Sequence, residues 1–253
     1  MGILAFLYGL IFGSFYNVVI YRIPADKSIA KGRSMCGSCD HTLAAKDLVP
    51  VFSWIFLKAK CRYCGSKISM RYPIIELTTG FLFLLAYMQS GSIWEFIFYA
   101  SLWSMLLITA MIDYDEMIIS DAVLLAFTIV GIVALIGMKA GLLTRVYGSV
   151  FGFGFYFAIY YIAKLIYKKE AFGFGDVMLM GALGVFLGFR DAVMTSILSF
   201  YVALVIIVIM KLFGKKTGLR QEIPFGPYIC IAAFIVSLYG NQLVEMYFEL
   251  FLY

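Results

Sequence analysis

Long, nearly continuous runs of apolar residues constrain this chain more than any other feature. Residues 93–112, 146–166 and 193–210 are three of them. The chain is 63% hydrophobic and 14% charged, whereas a soluble domain is about half apolar and about a quarter charged. A water-soluble fold of 253 residues could not bury so much apolar surface, so the surrounding solvent must be lipid. Continuous rather than alternating runs favour helices over a barrel.

The hydrophobic pattern predicts an all-α, polytopic membrane protein with about eight transmembrane helices. The predicted spans are residues 3–20, 74–88, 93–112, 122–137, 146–166, 177–189, 193–210 and 226–239. The sixth is shorter than the ~20 residues that cross a bilayer, so we expect local thinning or shielding by neighbours. The first does not have the pattern of a signal peptide, because no basic residue precedes its apolar core. We expect the residues after 241 to continue the last helix.

Positive charges predict the orientation in the membrane. Residues 22–72 form the only large polar segment and hold half of the 20 Lys and Arg residues. The positive-inside rule makes this segment cytoplasmic and places the N-terminus outside. The loops then assigned outside hold only Lys139, Arg145 and Arg190. Those assigned inside hold Lys164, Lys168, Lys169, Lys211, Lys215, Lys216 and Arg220.

This orientation divides the chain into three predicted parts. Residues 1–21 form the first transmembrane helix, residues 22–72 a small cytosolic domain, and residues 73–253 a seven-helix membrane core. The lipid bilayer is the expected environment. The net charge of +5 gives no argument for nucleic-acid binding, because the basic residues fall in particular loops.

Four of the five cysteines form two CxxC pairs in the polar segment, separated by 21 residues. They are Cys36, Cys39, Cys61 and Cys64. Paired CxxC turns favour a tetrahedral zinc site over free thiols or disulfides, which are rare in the cytoplasm. Four thiolates would fill the coordination shell, so we expect a structural zinc that helps a core-poor segment to fold. His41 could be a spare ligand, although a surface role is expected, and Cys230 should pack as an apolar residue.

Two carboxylates lie at the edges of apolar segments. Asp113 follows about 20 apolar residues, at the negative end of a helix dipole, where a carboxylate is unfavourable. Asp176 ends the GFGD motif of residues 173–176 and starts a helix, where the dipole stabilises an anion. The predicted topology places both at the cytoplasmic face. If they meet, one can hold a proton while the other is ionised, the arrangement with which aspartyl proteases activate water.

The residues alone leave structural roles open for these carboxylates. Asp176 could be only a helix N-cap and Asp113 only a loop residue, because positions at a membrane boundary are hydrated and tolerate charge. Asp115, Glu116 and Asp121 fit that description, with Asp121 expected to cap a helix. The roles of acid and base are not assigned, because a shared proton belongs to the pair.

In combination these motifs resemble the bacterial type IV prepilin peptidase family (prepilin leader peptidase/N-methyltransferase), which are GxGD aspartic proteases of the membrane. Residues 13–24, GSFYNVVIYRIP, look like the family's opening signature. Residues 36–65, followed by residues 71–73 and Glu76, resemble its cytosolic domain. Asp113 and Asp176 match its first and second catalytic aspartates. Residues 223–227, IPFGP, fit its late signature, so the resemblance covers nearly the whole chain.

Two positions depart from the usual pattern of that family. Met178 stands where Lys commonly follows the GxGD aspartate by two residues, which removes a cation that could have held Asp176 ionised. Ser120 stands where Pro often precedes the acidic residue, here Asp121. Neither change touches a residue that matches a catalytic group.

The resemblance implies a membrane aspartic endopeptidase whose substrates are prepilins and pseudopilins. It would cut after the Gly that ends a short basic leader, at the cytoplasmic face of a bacterial cytoplasmic membrane, and residues 73–253 would be its peptidase core. Many members then methylate the new N-terminus with S-adenosylmethionine, and those that carry the cysteines usually do so. No glycine-rich nucleotide motif locates a binding site for that cofactor.

Three other functions compete with this one. A presenilin-like or preflagellin-type GxGD protease would cut other membrane proteins, but the cysteine segment and the opening signature argue against it. A transporter would need ionisable residues near the middle of the bilayer and often repeated halves, and we find neither. A non-catalytic zinc-bearing scaffold would tolerate neutral residues at positions 113 and 176.

Overall fold

A computed structural model describes residues 1–168, 172–213 and 224–252, without the side chains of 247, 248 and 250–252. Outside residues 23–70, which are mostly turns and loops, the described chain is almost entirely α-helical. The predictions that named Lys169, Lys215, Lys216, Arg220 and residue 223 fall outside these ranges. Within them, nine α-helices occur. They are α1 Gly2–Arg22, α2 Phe52–Phe56, α3 Arg71–Gln89, α4 Ile93–Glu116, α5 Asp121–Gly137, α6 Leu143–Tyr167, α7 Phe174–Leu187, α8 Phe189–Leu212 and α9 Gly226–Leu252.

Seven of the eight predicted spans each fall on one of these helices, and the sixth falls on α7 and the start of α8. The all-helical membrane fold is confirmed. Among the described residues, five helices are long and apolar enough to cross a membrane, namely α1, α4, α6, α8 and α9. Helices α5 and α7 are apolar but have only 17 and 14 residues. The number of spans and the three-part division of the chain stay predictions.

Helix boundaries differ from the predicted ones at two positions. The predicted sixth span crosses a break at Gly188, whose φ of 78° ends α7 before α8 begins at Phe189. Glycine reaches this backbone conformation without steric cost. Helix α4 continues to Glu116, so Asp113 lies in its last turn rather than after its end. Helix α9 reaches Leu252, as expected for a continuation past residue 241.

In the first structural unit, Met1–Ala100, α1 packs tightly against α3. A Cβ added to Gly9 would lie 2.7 Å from Cα of Gly80, and one added to Gly13 would lie 2.7 Å from Cα of Glu76. The two glycines of α1 are four residues apart and therefore share one helix face. This is the small-residue spacing that lets membrane helices approach closely.

Buried polar side chains attach the polar segment to this helix pair. Glu76 of α3 accepts a hydrogen bond from the backbone N–H of Val51 at 2.7 Å, and another from Ser14 of α1. Asn17 of α1 donates to the carbonyl of Tyr72 at 3.2 Å. A buried polar group without a partner is costly. The bond of Glu76 to Val51 therefore holds the segment on α3, whereas the bonds from Ser14 and Asn17 join α1 to α3.

In the second unit, Ser101–Tyr253, α6 and α7 make the closest contact between helices. A Cβ added to Gly148 would lie 2.6 Å from the carbonyl oxygen of Gly184, and one added to Gly152 would lie 2.4 Å from that of Met180. The atoms that these Cβ atoms would meet belong to the backbone of α7, which cannot move away as a flexible side chain can. Only glycine therefore allows α6 to lie this close to α7.

Replacement of Gly148 by Ala should therefore separate α6 from α7 and lower stability by about 1–3 kcal/mol, the usual cost of overpacking. Gly154→Ala on the same helix is the matched control, because its added Cβ would meet nothing within 4 Å. The midpoint of thermal unfolding in detergent measures both. Equal midpoints for Gly148→Ala and Gly154→Ala would contradict the close contact.

Candidate functional site

Asp113 is buried in the last turn of α4, with 5% of its surface exposed. Its Oδ2 accepts a hydrogen bond from the backbone N–H of Gly226 at 2.9 Å. Gly226 is the first residue of α9, so the carboxylate lies at the positive end of a second helix dipole. This contact offsets the unfavourable position of Asp113 at the end of its own helix.

Helix α9 can approach this carboxylate because Gly226 has no side chain. A Cβ added to Gly226 would lie 2.6 Å from Oδ2 of Asp113 and 3.3 Å from Cδ1 of Ile119. Ile119 also lies against the GFGD motif, because a Cβ added to Gly175 would be 2.8 Å from Cβ of Ile119. One isoleucine therefore packs between the glycine beside Asp113 and the glycine that precedes Asp176.

Asp176 lies inside the first turn of α7, whose N-cap is Gly173, so Asp176 is not itself the cap. It is buried, with 6% of its surface exposed. Its Oδ1 has no hydrogen-bond partner among the described residues. Its carboxyl group interacts electrostatically with that of Asp113. The two aspartates thus lie close together in the second unit.

A cluster of aromatic rings includes one residue that interacts with Asp176. Tyr156 of α6 is fully buried, interacts electrostatically with Asp176, and has its hydroxyl 2.9 Å from Oγ of Ser199. An apolar enclosure excludes water and strengthens the interactions of the charges inside it. The rings in contact are Tyr156, Phe172, Phe200, Phe225 and Tyr228.

Other acidic and sulfur-bearing residues near the pair have lesser roles. Asp115 and Glu116 are exposed at the end of α4. Asp121 is the first residue of α5, and the cap position belongs to Ser120, so the prediction that Asp121 caps this helix is wrong. Cys230 is buried in α9, as expected, and its thiol interacts electrostatically with both catalytic candidates.

The four cysteines of the two CxxC pairs form one cluster in the first unit. The sulfur atoms of Cys36, Cys39, Cys61 and Cys64 all lie within 4.8 Å of one another, and none is in a disulfide. The Sγ atoms of Cys36 and Cys64 are 3.8 Å apart. A tetrahedron with Zn–S bonds of about 2.3 Å has S–S edges of about 3.8 Å. The cluster therefore has the size of a four-cysteine zinc site.

Both CxxC turns have the same backbone. In each, the N–H of the first cysteine donates to the carbonyl five residues later, at 3.0 Å in the first turn and 2.8 Å in the second. The residue after the second cysteine has a positive φ in both, 52° at Asp40 and 72° at Gly65. The two antiparallel bridges that close the turns are Met35–Thr42 and Lys60–Lys67.

The thiols of this cluster cannot all ionise by themselves. Backbone N–H groups of Ser38 and Cys39 lower the pKa of Cys36 to about 6, which favours the thiolate that binds metal. A hydrogen bond from the backbone N–H of His41 also lowers the pKa of Cys39. Burial and the sulfurs of Cys64 and Cys36 outweigh it and raise the pKa of Cys39 to about 12. A bound dication would compensate the repulsion between thiolates, so this donor set fits zinc.

Residues next to the cluster fix its second turn. His41 stacks on Tyr63, with ring centroids 3.7 Å apart. Asp47 accepts hydrogen bonds from Nε of Arg62 at 2.6 Å and from the Tyr63 hydroxyl at 3.0 Å. The Arg62 guanidinium, followed by the Tyr63 hydroxyl and the Ala44 N–H, lowers the pKa of Asp47 against the effect of burial. Asp47 thus ties the second CxxC turn to the preceding chain.

Four polar contacts were missed from the sequence. Glu76 and Asn17 were not predicted to be buried and bonded, although polar residues within apolar helices often indicate such roles. Arg22 was counted only as a charge, but its guanidinium donates to the carbonyls of Ser28 and Lys31 at 2.9 and 2.8 Å. The contact of Gly226 with Asp113 had no local sequence signal.

The fold is that of a multi-pass helical membrane protein, and its motifs match two family models. Residues 7–90 match the bacterial peptidase A24 N-terminal domain, and residues 100–208 match the type IV leader peptidase family. The prepilin leader peptidase/N-methyltransferase of Stutzerimonas stutzeri is 33% identical over 97% of this chain and 93% of its own length. The chain therefore belongs to the type IV leader peptidase family.

Further relatives have the same name. The prepilin leader peptidase/N-methyltransferase of Pseudomonas aeruginosa is 31% identical over 96% of this chain and 92% of its own length. That of Klebsiella pneumoniae is 36% identical over 78% of this chain and 90% of its own length. No solved structure matches the chain.

The cysteine cluster should bind about one zinc ion per chain, because its four sulfurs complete one tetrahedral shell. Cys39→Ser should lower the zinc content and the thermal stability, since it leaves a weaker donor set around the ion. Cys230→Ser is the control, because this fifth cysteine lies outside the cluster. Metal analysis of the purified protein measures the content. A full zinc content in Cys39→Ser would contradict the assignment.

Proposed function

We propose that this protein is a membrane aspartic endopeptidase that removes the basic leader of prepilins and pseudopilins after its terminal Gly. The observation that carries this proposal is the buried carboxyl pair of Asp113 and Asp176, in which Oδ1 of Asp176 has no hydrogen-bond partner among the described residues. Membership of the type IV leader peptidase family and the names of the relatives support it.

In the proposed reaction the pair holds one proton. The ionised carboxylate takes a proton from water while the water oxygen attacks the carbonyl carbon of the scissile bond, and the protonated partner gives its proton to the carbonyl oxygen. The tetrahedral intermediate then collapses, the C–N bond breaks, and the leaving nitrogen receives a proton. The products are the leader with a new carboxylate and the mature protein with a new amino terminus.

Each part of the pair is held by a different element. The N–H of Gly226 fixes Oδ2 of Asp113, so the position of this carboxylate depends on α9. Asp176 is carried on the first turn of α7, and its buried Oδ1, which has no hydrogen-bond partner among the described residues, would bond to water or substrate. Preorganised groups of this kind lower a barrier without rearranging during the reaction. The roles of acid and base belong to the pair.

The proposed site faces the cytoplasm of a bacterium whose cytoplasmic membrane holds the protein, with the N-terminus outside. The distribution of basic residues supports this orientation, because residues 22–72 hold half of the 20 Lys and Arg residues and such segments stay inside. A basic leader would stay on the same side for the same reason. The hydrophobic helix that follows the leader would enter the membrane beside the pair.

A second proposed activity is methylation of the new amino terminus with S-adenosylmethionine. The relatives' names include N-methyltransferase, and this chain has the cysteine cluster. No glycine-rich nucleotide motif locates a binding site for this cofactor, so no step of the methyl transfer is derived. Zinc, held by the four cysteines, would stabilise the polar segment and would take no part in peptide cleavage.

Asp113→Asn and Asp176→Asn should each lower the cleavage rate by about 100-fold or more, because an amide can neither take nor give the proton. Asp115→Asn is the control, since this exposed carboxylate takes part in no proposed step. Gel analysis of a purified prepilin incubated with each detergent-solubilised variant measures the rate. Full activity in either pair variant would remove that aspartate from the mechanism.

Gly226→Ala should reduce cleavage without removing either carboxylate. The added Cβ would lie 2.6 Å from Oδ2 of Asp113, so the hydrogen bond to α9 must lengthen and the carboxylate must move. We expect a loss of about 10-fold or more in kcat, since misplacement by about 1 Å can cost 100-fold. Gly181→Ala on α7 is the control, because its nearest contact would be an ordinary 3.4 Å. Equal rates in the two variants would contradict the role of Gly226.

A further inference from the structure

A lysine groove lies in the polar segment, on the side where α3 begins. We use this name for the cavity of about 300 Å³ lined by Trp54, Lys58, Ala59, Lys60, Lys67, Ile68 and Met70. Three of these residues are basic and none is acidic. The groove belongs to the first unit and the aspartate pair to the second, and nothing in the proposed cleavage uses the groove.

Two of the three lysines are held directly opposite each other. Lys60 and Lys67 form an antiparallel bridge, and the next hydrogen bond, from the N–H of Ile68 to the carbonyl of Ala59 at 2.8 Å, fixes the register. Side chains in such a pair have Cβ atoms about 5 Å apart, and like charges at this distance repel. The protein therefore bears an electrostatic cost that an anion between the ammonium groups would remove.

Nothing in the described chain neutralises this charge. The ammonium groups of Lys58, Lys60 and Lys67 make no ion pair or hydrogen bond with any described residue, and all three side chains are exposed. The nearby carboxylate of Asp47 is already bound by Arg62. The charge of the groove is thus available to a ligand from outside the chain.

The rest of the groove is apolar and adjoins a membrane helix. Trp54 and Ile68 form part of its floor, where Nε1 of Trp54 donates to the carbonyl of Ile68 at 3.2 Å. Met70 immediately precedes α3, which carries the second predicted span. Beside it, Ile55 and Phe56 of α2 are 55% and 81% exposed. Exposed apolar side chains next to lysines are typical of segments that lie in a membrane interface.

We propose that the lysine groove binds the headgroup of an anionic phospholipid from the leaflet that α3 enters. The phosphate would lie between Lys60 and Lys67, with Lys58 beside it, and the apolar floor and α2 would contact the glycerol and the start of the acyl chains. Basic residues at a membrane surface attract anionic lipid in this way. The basic leader of a prepilin is excluded as the ligand because its charge has the same sign.

The first test measures lipid binding to the whole, zinc-loaded protein. Delipidated protein in a non-ionic detergent is titrated with phosphatidylglycerol or phosphatidylcholine, and bound lipid is counted by native mass spectrometry. The triple variant Lys58→Gln, Lys60→Gln, Lys67→Gln should bind phosphatidylglycerol at least about 10-fold more weakly than the unmodified protein. Neither protein should show tight binding of phosphatidylcholine.

The matched control has the same change of charge elsewhere in the polar segment. Its substitutions are Lys27→Gln, Lys31→Gln and Lys46→Gln, none of which lines the groove. This control should bind phosphatidylglycerol as the unmodified protein does. An equal loss of affinity in the control would show a diffuse electrostatic effect, and no loss in the groove variant would show binding elsewhere. Either outcome overturns the proposal.

A single charge reversal separates ligand binding from folding. Lys60→Glu would place opposite charges in the bridge with Lys67, so the protein without lipid should unfold at a higher temperature than the unmodified protein. The same variant should lose the stabilisation by phosphatidylglycerol, while zinc content stays at one ion per chain. Retained stabilisation would contradict the proposal. Equal stabilisation of the unmodified protein by inorganic phosphate would also overturn it, in favour of a soluble anion.

Discussion

The hydrogen bond from the N–H of Gly226 to Asp113 is the interaction on which the aspartate pair depends. A carboxylate in the last turn of α4 faces the negative end of its own helix, and burial makes its charge more costly. The first turn of α9 supplies the compensating dipole and donor at 2.9 Å. Asp176, in the first turn of α7, has the dipole of its own helix. Both carboxyl groups therefore lie at helix N-termini, and one oxygen of Asp176 has no hydrogen-bond partner among the described residues.

Close helix packing keeps these helix N-termini in place. The polar segment is instead organised by polar groups and by the cysteine cluster. Glycines let α6 lie against the backbone of α7, which carries Asp176. In the first unit, a segment with few buried apolar residues is ordered by the sulfur cluster, by the bond of Asp47 to Arg62, and by the bond of Glu76 to Val51. Polar and metal-binding groups replace the missing hydrophobic core there. The same scarcity of core leaves the lysine groove open to a ligand.

Local sequence patterns predicted the helices, the two aspartates and the cysteine cluster, because each has a signal within a short stretch of chain. Apolar runs define helices, and paired CxxC turns define a metal cluster. The patterns could not predict the hydrogen bonds of Gly226 to Asp113 and of Val51 to Glu76, since such contacts arise from packing between distant elements. The pairing of Lys60 with Lys67 depends on the register of the bridge that closes the turn, and composition does not determine that register. The break at Gly188 was missed because the apolar run continues through it.

The separation of 113 positions between Asp113 and Gly226 has a consequence for how the protein is made. Chains enter the membrane from their N-terminal end during synthesis, so α4 and α7 are in place before α9 has been translated. Until then Asp113 has no helix N-terminus to bind. A nascent chain would therefore carry both carboxyl groups without the complete proposed site. Insertion of the last helix would switch on proteolysis, and neighbouring proteins at the translocon would be spared from an unfinished protease.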